Sequence, residues 1–580
     1  MSYPNVRVIS LGGIGSIGKN MTLIEQDDEI LVVDCGLMFP DENHPGVDII
    51  LPDMTYLYEN AERIAGVVLT HGHEDHIGGL PYLLERMPLL VWGTPLTLGL
   101  LQSKMPEYRP LPGSEYISVE PGSTFQVGGF KIDAVAMSHS VPAGIALGIH
   151  TKEGIIVHSG DFKFDHTPID GRMPDFHMLA SYGGEGTLCL ISDTTNVERP
   201  GLSMSERVVG ENFQRIFCNA PGRIIVTSFA SNISRMQQVM ERSAECGRKV
   251  AVSGRSMERI MQTALDLGYL TIPADTVVPI ERIDDYAPTQ VTILTTGSQG
   301  EPLSALARMA RGDHRWVEIG DGDTVIFSAS AIPGNETVIL STINELYRRG
   351  AHVIHRPEEG VHVSGHAYQE ELRLLVSLVR PTFVIPIHGD QRHICRYREL
   401  TTEMGIPKDN CFLLEPGATV EFHDGKAARG PNVPAGSINV DGLGVGDVGD
   451  VVIADRRILA SEGILLPVLV VDANTFLPVA EPEIYSRGFV FMSESEDLIA
   501  AIKVKVLDIV ATITEEGRLD PELLYERLRS QVGKYLYSLT ERRPMVVPVI
   551  VPVGEKHEAD LAEDESAEEM ADEEPEALSA

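Results

Sequence analysis

Three histidines and two carboxylates fall within six residues in His71-Gly-His73-Glu-Asp75-His76, directly after the apolar run Ile64-Ala-Gly-Val-Val-Leu-Thr70. Imidazole and carboxylate are donors that zinc and manganese accept, and the neighbouring glycines let the backbone turn sharply at a strand end. A polar loop without chemistry would not gather so many ligand-type groups. Further candidates close other apolar runs: His139 after Ile132-Asp-Ala-Val-Ala-Met-Ser138, Asp161 after Gly154-Ile-Ile-Val-His-Ser-Gly160, and His388 after Thr382-Phe-Val-Ile-Pro-Ile387. Taken singly, each is more often a structural polar residue. Their repeated placement at a strand's carboxyl end points instead to one cleft. Seven ligands are too many for one tetrahedral ion and suit two metals that share a carboxylate and a bridging hydroxide.

The elements that must carry these residues are short and β-rich over the first 200 positions: runs at 6–11, 21–25, 30–34, 65–70, 90–92, 130–137, 155–158 and 188–193 alternate with helical or loop stretches. This pattern predicts a sheet-based α/β domain. From 205 to 353 the pattern changes to repeated strand-turn-helix units, as in Gly222-Arg-Ile-Ile-Val-Thr-Ser followed by a helix over 234–246, which predicts a parallel sheet. After a Gly/Asp/Val connector at 441–449, a small α+β unit opens with a strand at 464–471. It has helices near 496–514 and 521–537 and closes with a strand at 545–553. The expected boundaries are 1–204, 205–353, 354–450, a linker at 451–463, 464–553, and a tail at 554–580. That tail has almost no large apolar residues and is expected to be disordered.

Net charge is -37, which argues against a protein that coats nucleic acid non-specifically; a polyanionic substrate would need a local basic channel or bound cations. No apolar run approaches the ~20 residues of a bilayer-spanning helix, and the start has no basic region leading into an apolar stretch, so a cytoplasmic, membrane-free protein is expected. The six cysteines are scattered, without a Cys-x-x-Cys pair, and read as reduced, mostly structural thiols. Gly13-Ile-Gly-Ser-Ile-Gly18 matches a dinucleotide-binding pattern, with Asp34 about where a ribose-binding acid would sit. That mechanism needs a helix before the second strand, and Asn20-Met-Thr-Leu-Ile-Glu25 has strand character instead. A glycine-rich turn feeding a hairpin is the better reading.

His71-x-His-x-Asp-His76, His139, Asp161 in Ser-Gly-Asp-Phe-Lys-Phe-Asp, and Asp34 in Val-Asp-Cys-Gly resemble the successive motifs of the metallo-β-lactamase superfamily, whose fold is an αβ/βα sandwich. Ile191-Ser-Asp193-Thr-Thr-Asn, Val363-Ser-Gly-His366-Ala and Pro386-Ile-His388-Gly are similar to the motifs of its β-CASP subgroup, which acts on nucleic acids and carries an inserted domain where 205–353 lies here. Thr296-Gly-Ser-Gln-Gly-Glu-Pro-Leu, Ser328-Ala-Ser-Ala-Ile-Pro-Gly-Asn-Glu and Arg542-Arg-Pro-Met-Val-Val-Pro-Val extend the resemblance to the ribonuclease J family over about residues 5 to 553. Two positions depart from the pattern: Ala143 follows His139-Ser-Val-Pro where that family usually has an acid, and Gln391 stands where an aromatic is often found, although Asp390 keeps the acid.

The resemblance implies that His71, His73 and His139 hold one divalent metal, that Asp75, His76 and His388 hold another, and that Asp161 bridges them. Zinc is the first expectation, with manganese or magnesium as alternatives. It implies catalytic roles for Asp75 and His76, and a proton-handling pair in Asp193 and His366. Ser364, Gly365, His366 and Ala367 would contact an RNA phosphate, and Phe229, Ser231, Asn232 and Arg235 would line the RNA channel. The implied activity is 5′-to-3′ exoribonucleolysis of 5′-monophosphorylated single-stranded RNA, with endonucleolytic cleavage, in RNA maturation and decay. A homodimer or homotetramer and RNA-degradation partners are expected with it. A small-ester hydrolase on the same scaffold would not require the inserted domain. A non-catalytic assembly subunit would not require the full ligand set.

Overall fold

The computed structural model describes residues 6–41, 43–332, 335–490, 495–516 and 520–554. Its β-rich runs form two stacked sheets. The first has eight strands in the order Lys426–Arg429, Thr419–His423, Val6–Gly12, Met21–Gln26, Glu29–Val33, Ile64–Val68, Leu90–Gly93, Glu115–Ser118. Hairpins make its first half antiparallel, and the helices between the later strands supply the crossovers that make the rest parallel. The second has six strands in the order Phe383–Ile387, Thr187–Asp193, Gly154–His158, Gly144–Thr151, Phe130–Met137, Thr124–Val127.

Continuous apolar runs give these strands two buried faces, so each sheet needs cover on both sides. Between the sheets, Val8, Ile24, Leu31 and Val68 meet Ile132, Leu147, Ile156 and Ile385. On the far side of the first sheet, Leu23, Val32 and Val67 pack with Leu57, Leu80 and Leu101. On the far side of the second, Val135, Val157 and Val384 pack with Leu179, Leu375 and Leu400. The result is the αβ/βα sandwich, with strand ends gathered along one edge. The strands Val6–Gly12 and Met21–Gln26 pair directly from Val6↔Gln26 inward, so the glycine-rich stretch is the turn of a hairpin, with no helix in it.

Residues 205–354 hold a five-stranded parallel sheet in the order Lys249–Ser253, Val291–Thr295, Ile224–Thr227, Thr324–Phe327, His352–Ile354. Helices Arg207–Asn219, Ile233–Glu245 and Arg255–Asp266 cover one face, through Phe213, Met236 and Met257. Helices Ala305–Arg311 and Glu336–Arg348 cover the other, through Leu306 and Ile343. Cys218 and Cys246 form a disulfide here, which corrects the expectation of six reduced thiols. They are 28 residues apart in sequence but lie at the ends of two packed helices, a proximity that spacing alone does not reveal. Cys35, Cys189, Cys395 and Cys411 are free.

A second compact unit comprises residues 43–46 and those from 447 onward. The stretch read as a linker carries a helix, Asp450–Ser461. Beyond it, the strand Ile464–Asp472 pairs antiparallel with Glu483–Arg487 and parallel with Met545–Val546 and Val549–Val553. Its burial alternates residue by residue. Leu465, Leu469 and Val471 face Val506, Ile509, Leu528 and Val532 of the helices Glu496–Glu515 and Pro521–Thr540. The acidic tail after 554 lies outside the described residues. Among those described, no helix is long and apolar enough to cross a membrane.

Candidate metal centre

The residues singled out by type and spacing converge. One ligand atom from each of His71, His73, His139 and Asp161 lies within 4.8 Å of the others, and the same holds for Asp75, His76, Asp161 and His388, and for Asp161, Asp193, His366 and His388. Asp161, which follows the strand Gly154–His158, is common to all three groups. His76 Nε2 is 3.2 Å from Asp161 Oδ2 and His71 Nε2 is 3.7 Å from it, while His388 Nε2 is 2.9 Å from Asp75 Oδ2.

Hydrogen bonds on the outer nitrogens set which ring atom faces inward. His139 Nδ1–H donates to the Gly365 carbonyl at 2.8 Å, and His76 Nδ1–H donates to Asp34 Oδ2 at 2.7 Å. Thr70 Oγ1 donates to Asp34 Oδ2 at 2.8 Å and so accepts from His71 Nδ1 at 3.1 Å. Thr195 Oγ1 is 2.6 Å from His388 Nδ1. The inward nitrogens of His71 and His139 are therefore bare. His73 Nδ1 is 3.1 Å from His71 Nε2 and 3.2 Å from His139 Nε2, so three ring nitrogens meet at one point.

Electrostatics reinforce that arrangement. Burial pushes His71 and His139 well below the ordinary imidazole range, and it takes His73 down to about 4 despite the charges of Asp75 and Asp161. Burial would also lower His388, but Asp161, Asp193 and Asp75 outweigh it and raise His388 to about 10. Burial disfavours the Asp161 carboxylate, yet His388, His76 and His366 hold it well below its usual range. Neutral His71, His73 and His139 beside a shared, ionised carboxylate, with His76 and His388 raised by the surrounding carboxylates so that a cation would displace their protons, form a donor set that fits divalent cations.

Backbone strain accompanies the ligands: Asp34 and His388 have φ of 60° and 54°, in the left-handed region that side chains rarely adopt. The glycine-rich hairpin turn helps hold His388 there. The His388 N–H donates to the Gly13 carbonyl at 2.5 Å, and Gly389 bridges to Ile14 and Ser16. The motif that looked like a nucleotide site thus serves as a brace.

The segment 364–367 borders the donor groups. His366 Nδ1 is 2.8 Å from Asp193 Oδ2, and Asn196 Nδ2 donates to Ser364 Oγ at 2.7 Å and to the His366 carbonyl at 3.2 Å. A Cβ on Gly365 would come within 2.7 Å of His139 Cε1, so only glycine allows this approach. Ala367 is buried beneath the turn.

The channel reading is corrected for two of its four residues. Arg235 is fully buried and pairs with Glu206 at 2.8 Å, and it also donates to the Ser328 and Val361 carbonyls at 3.1 Å. Asn232 caps its helix by accepting the Arg235 N–H at 2.9 Å. The Arg235 Nη1 and Nη2 groups and Asn232 Oδ1 are thus engaged inside the protein. Phe229 and Ser231 are half-buried. Sequence reasoning missed as supports Asn20, whose Nδ2 lies 3.0 Å from both the Asp75 carbonyl and His76 Nε2, and Thr70, Thr195 and Asn196. The latter two follow directly on Asp193 in Asp193-Thr-Thr-Asn, which was the available signal.

Comparison with known proteins agrees with this arrangement. Family models match for the metallo-beta-lactamase superfamily at residues 15–191, the ribonuclease J beta-CASP domain at 221–346, the Zn-dependent metallo-hydrolase RNA specificity domain at 351–412, and the ribonuclease J C-terminal domain at 451–553. The chain is 40% identical to Ribonuclease J2 of Bacillus subtilis (strain 168), over 95% of this chain and 99% of that one. It is 39% identical to Ribonuclease J 1 of Streptococcus pyogenes serotype M3, over 96% and 99%. A protein of unknown function from Enterococcus faecalis V583 shares the fold, with a TM-score of 0.52 at 16% identity over 72% of this chain and 100% of that one. With near-complete coverage, matching domains in order and a converged His/Asp donor set, the chain belongs to the ribonuclease J family of metal-dependent hydrolytic ribonucleases on the metallo-β-lactamase fold.

Proposed function

We propose that this chain degrades single-stranded RNA from the 5′ end, preferring a 5′-monophosphate, and also cleaves internally, in RNA maturation and decay. The observation that carries this reading is the turn at Ser364-Gly365-His366, which is joined to one donor group through His139 and to Asp193 through His366. Asn196 and the His366 N–H both donate to Ser364 Oγ, so the Ser364 hydroxyl hydrogen is free for a phosphate oxygen.

In this reading His71, His73 and His139 hold one cation and Asp75, His76 and His388 the other, with Asp161 between them. Zinc is the first candidate, then manganese or magnesium. Bound there, such a pair supplies an activated water and offsets charge at phosphorus. Asp193 orients His366 through Nδ1, which leaves Nε2 to hand a proton to the departing oxygen. Phe229 and Ser231 line the RNA path. The protein works in the cytoplasm as a homodimer or homotetramer, with RNA-degradation partners.

The test is degradation of labelled 5′-monophosphate RNA against 5′-triphosphate RNA and DNA, with added manganese or zinc and a His76→Ala variant. Mononucleotide release from the monophosphate RNA, lost in the variant, is expected. Equal rates on both 5′ ends would remove the end preference, and an intact RNA with metal-replete protein would remove the nuclease reading.

A further inference from the structure

The helix Glu74–Ile77 carries two of the candidate ligands, Asp75 and His76, and cannot hold itself in place: it is four residues long, and His73 at its start makes no side-chain cap. Its carbonyls instead accept hydrogen bonds from an earlier segment. Glu74 accepts the Leu37 N–H at 3.0 Å, His76 the Cys35 N–H at 2.8 Å, and Asp75 the Asn20 N–H at 2.9 Å. Asn20 closes the glycine-rich turn 13–20 that joins the strands Val6–Gly12 and Met21–Gln26.

The Asn20 side chain reaches the same ligands a second time. Its Nδ2 donates to the Asp75 carbonyl at 3.0 Å and lies 3.0 Å from His76 Nε2 and 3.4 Å from Asp75 Oδ2. A carbonyl can only accept, so the amide must turn its nitrogen to this side. Its oxygen then lies beside Gly13 without a hydrogen-bond partner among the described residues, although Asn20 is only 4% exposed. An unpaired buried oxygen is costly, and what offsets that cost is the hold of the nitrogen on the two ligands.

Gly13 makes room for this amide. A Cβ there would come within 2.3 Å of Asn20 Oδ1, and its φ of 73° is one that side chains rarely adopt. The Gly13 carbonyl in turn accepts the His388 N–H. A single turn therefore holds Asp75, His76 and His388, which share one donor group. The other group draws on different elements: His71 on Thr70, His73 on Ser140 at 3.3 Å, and His139 on the Gly365 carbonyl. Among the described residues no hydrogen bond joins the turn to those three histidines.

We propose that the turn 13–20 positions the ligands of one cation only. Through Asn20 and the Gly13 carbonyl it sets how tightly Asp75, His76 and His388 bind a divalent ion, and it leaves the His71, His73 and His139 group to itself. The assignment rests on the reading that two cations bind here. Asn20 and Gly13 are positioning residues, which act through the ligands, and the two ions can be gained and lost separately.

The test is titration of the full chain, stripped of metal, with zinc and separately with manganese against a fluorescent competing chelator. The parent is compared with Asn20→Ala and Gly13→Ala, each checked for folding by circular dichroism. The parent should take up two equivalents. In both variants one equivalent should bind at least about tenfold more weakly, with the other within about twofold of the parent. RNA cleavage gives a second readout: added metal should restore kcat in Asn20→Ala, at a metal concentration raised by the same factor. Asn20→Ser, which also loses the Nδ2 donor, replaces the alanine variant if that protein does not fold. Equal weakening of both equivalents, or of neither, would overturn the proposal, as would a loss of cleavage that excess metal does not relieve. A parent that takes up a single equivalent would remove the two-cation reading and this proposal with it, a result seen before any variant is compared.

Discussion

Asp34 contributes to none of the three donor groups, yet it governs how His76 can serve. Its carboxylate takes the His76 Nδ1–H, the Thr70 hydroxyl and the Thr70 N–H, at 2.7, 2.8 and 2.7 Å, and so fixes one ring tautomer and one ring plane. Asp34→Asn should keep the fold and weaken metal binding by about 10- to 100-fold, read by titration with a competing chelator; unchanged affinity would show that Asp34 has no such role. A pH dependence follows from His388. It sits at about 10 in the folded chain against 6.5 for an ordinary imidazole, so its charge stabilises the metal-free protein fully below pH 6.5. That contribution fades as pH rises toward 10. A cation needs the neutral ring and competes with that proton, so the rise in Tm on adding zinc or manganese should grow between pH 6.5 and 9. Calorimetry against chelator-treated protein checks the sign. The ligands themselves were legible in the sequence because residue type at a strand end marks them. Asn20 and Thr195 were not, since their value depends on which ring nitrogens the fold brings to them.

Between residue and domain stands the Arg235 cluster, which joins elements far apart in sequence. Arg235, in the helix Ile233–Glu245, ties Glu206, next to the helix Arg207–Asn219, to the Val361 carbonyl just before the 364–367 turn. The Glu206 N–H in turn donates to Asp165 at 3.0 Å, four residues past Asp161. Arg235→Met leaves a buried carboxylate uncompensated and should cost roughly 3–5 kcal/mol, whereas Arg235→Met with Glu206→Gln should recover a large part of the loss, both read by denaturant unfolding. A double variant no more stable than the single one would refute the pairing argument. The family resemblance placed Arg235 in the lining of an RNA channel. What reversed that reading is the cap at Asn232, which sets the helix phase so that the residues from Ile233 to Met236 are all buried. Strands and the hairpin at 6–26 were readable from alternation and turn residues; helix phase and the Cys218–Cys246 pairing are products of packing.

Across the whole molecule, charge and function pull in opposite directions. The chain carries -37, of which residues 555–580 contribute twelve acids and one lysine. A field of that sign slows the approach of RNA wherever it is not screened, and the Debye length falls from about 30 Å at 0.01 M salt to about 3 Å at 1 M. Removing 555–580 should therefore raise the association rate for RNA severalfold near 0.02 M salt and leave it nearly unchanged at about 0.5 M, measured by stopped-flow fluorescence. A gain that persists at high salt would point to a cause other than charge. The sandwich was legible because its motifs recur at strand ends in chain order. The cavity lined by Met137, His139, Asp165 and Ser234 was not, because its walls come from five separate stretches of sequence.

The strand Thr187–Asp193 pairs on one side with Gly154–His158 and on the other with Phe383–Ile387, a neighbour that begins 190 residues after it ends. During synthesis this edge stays open for roughly 10–40 s at about 5–20 residues per second, while the ribosome makes everything in between. His388 arrives with that late strand. A nascent chain therefore holds six of the seven candidate ligands long before the last, and the site stays incomplete until the intervening domain has emerged. Completion of the candidate donor set thus waits on translation of the strand that leads into His388.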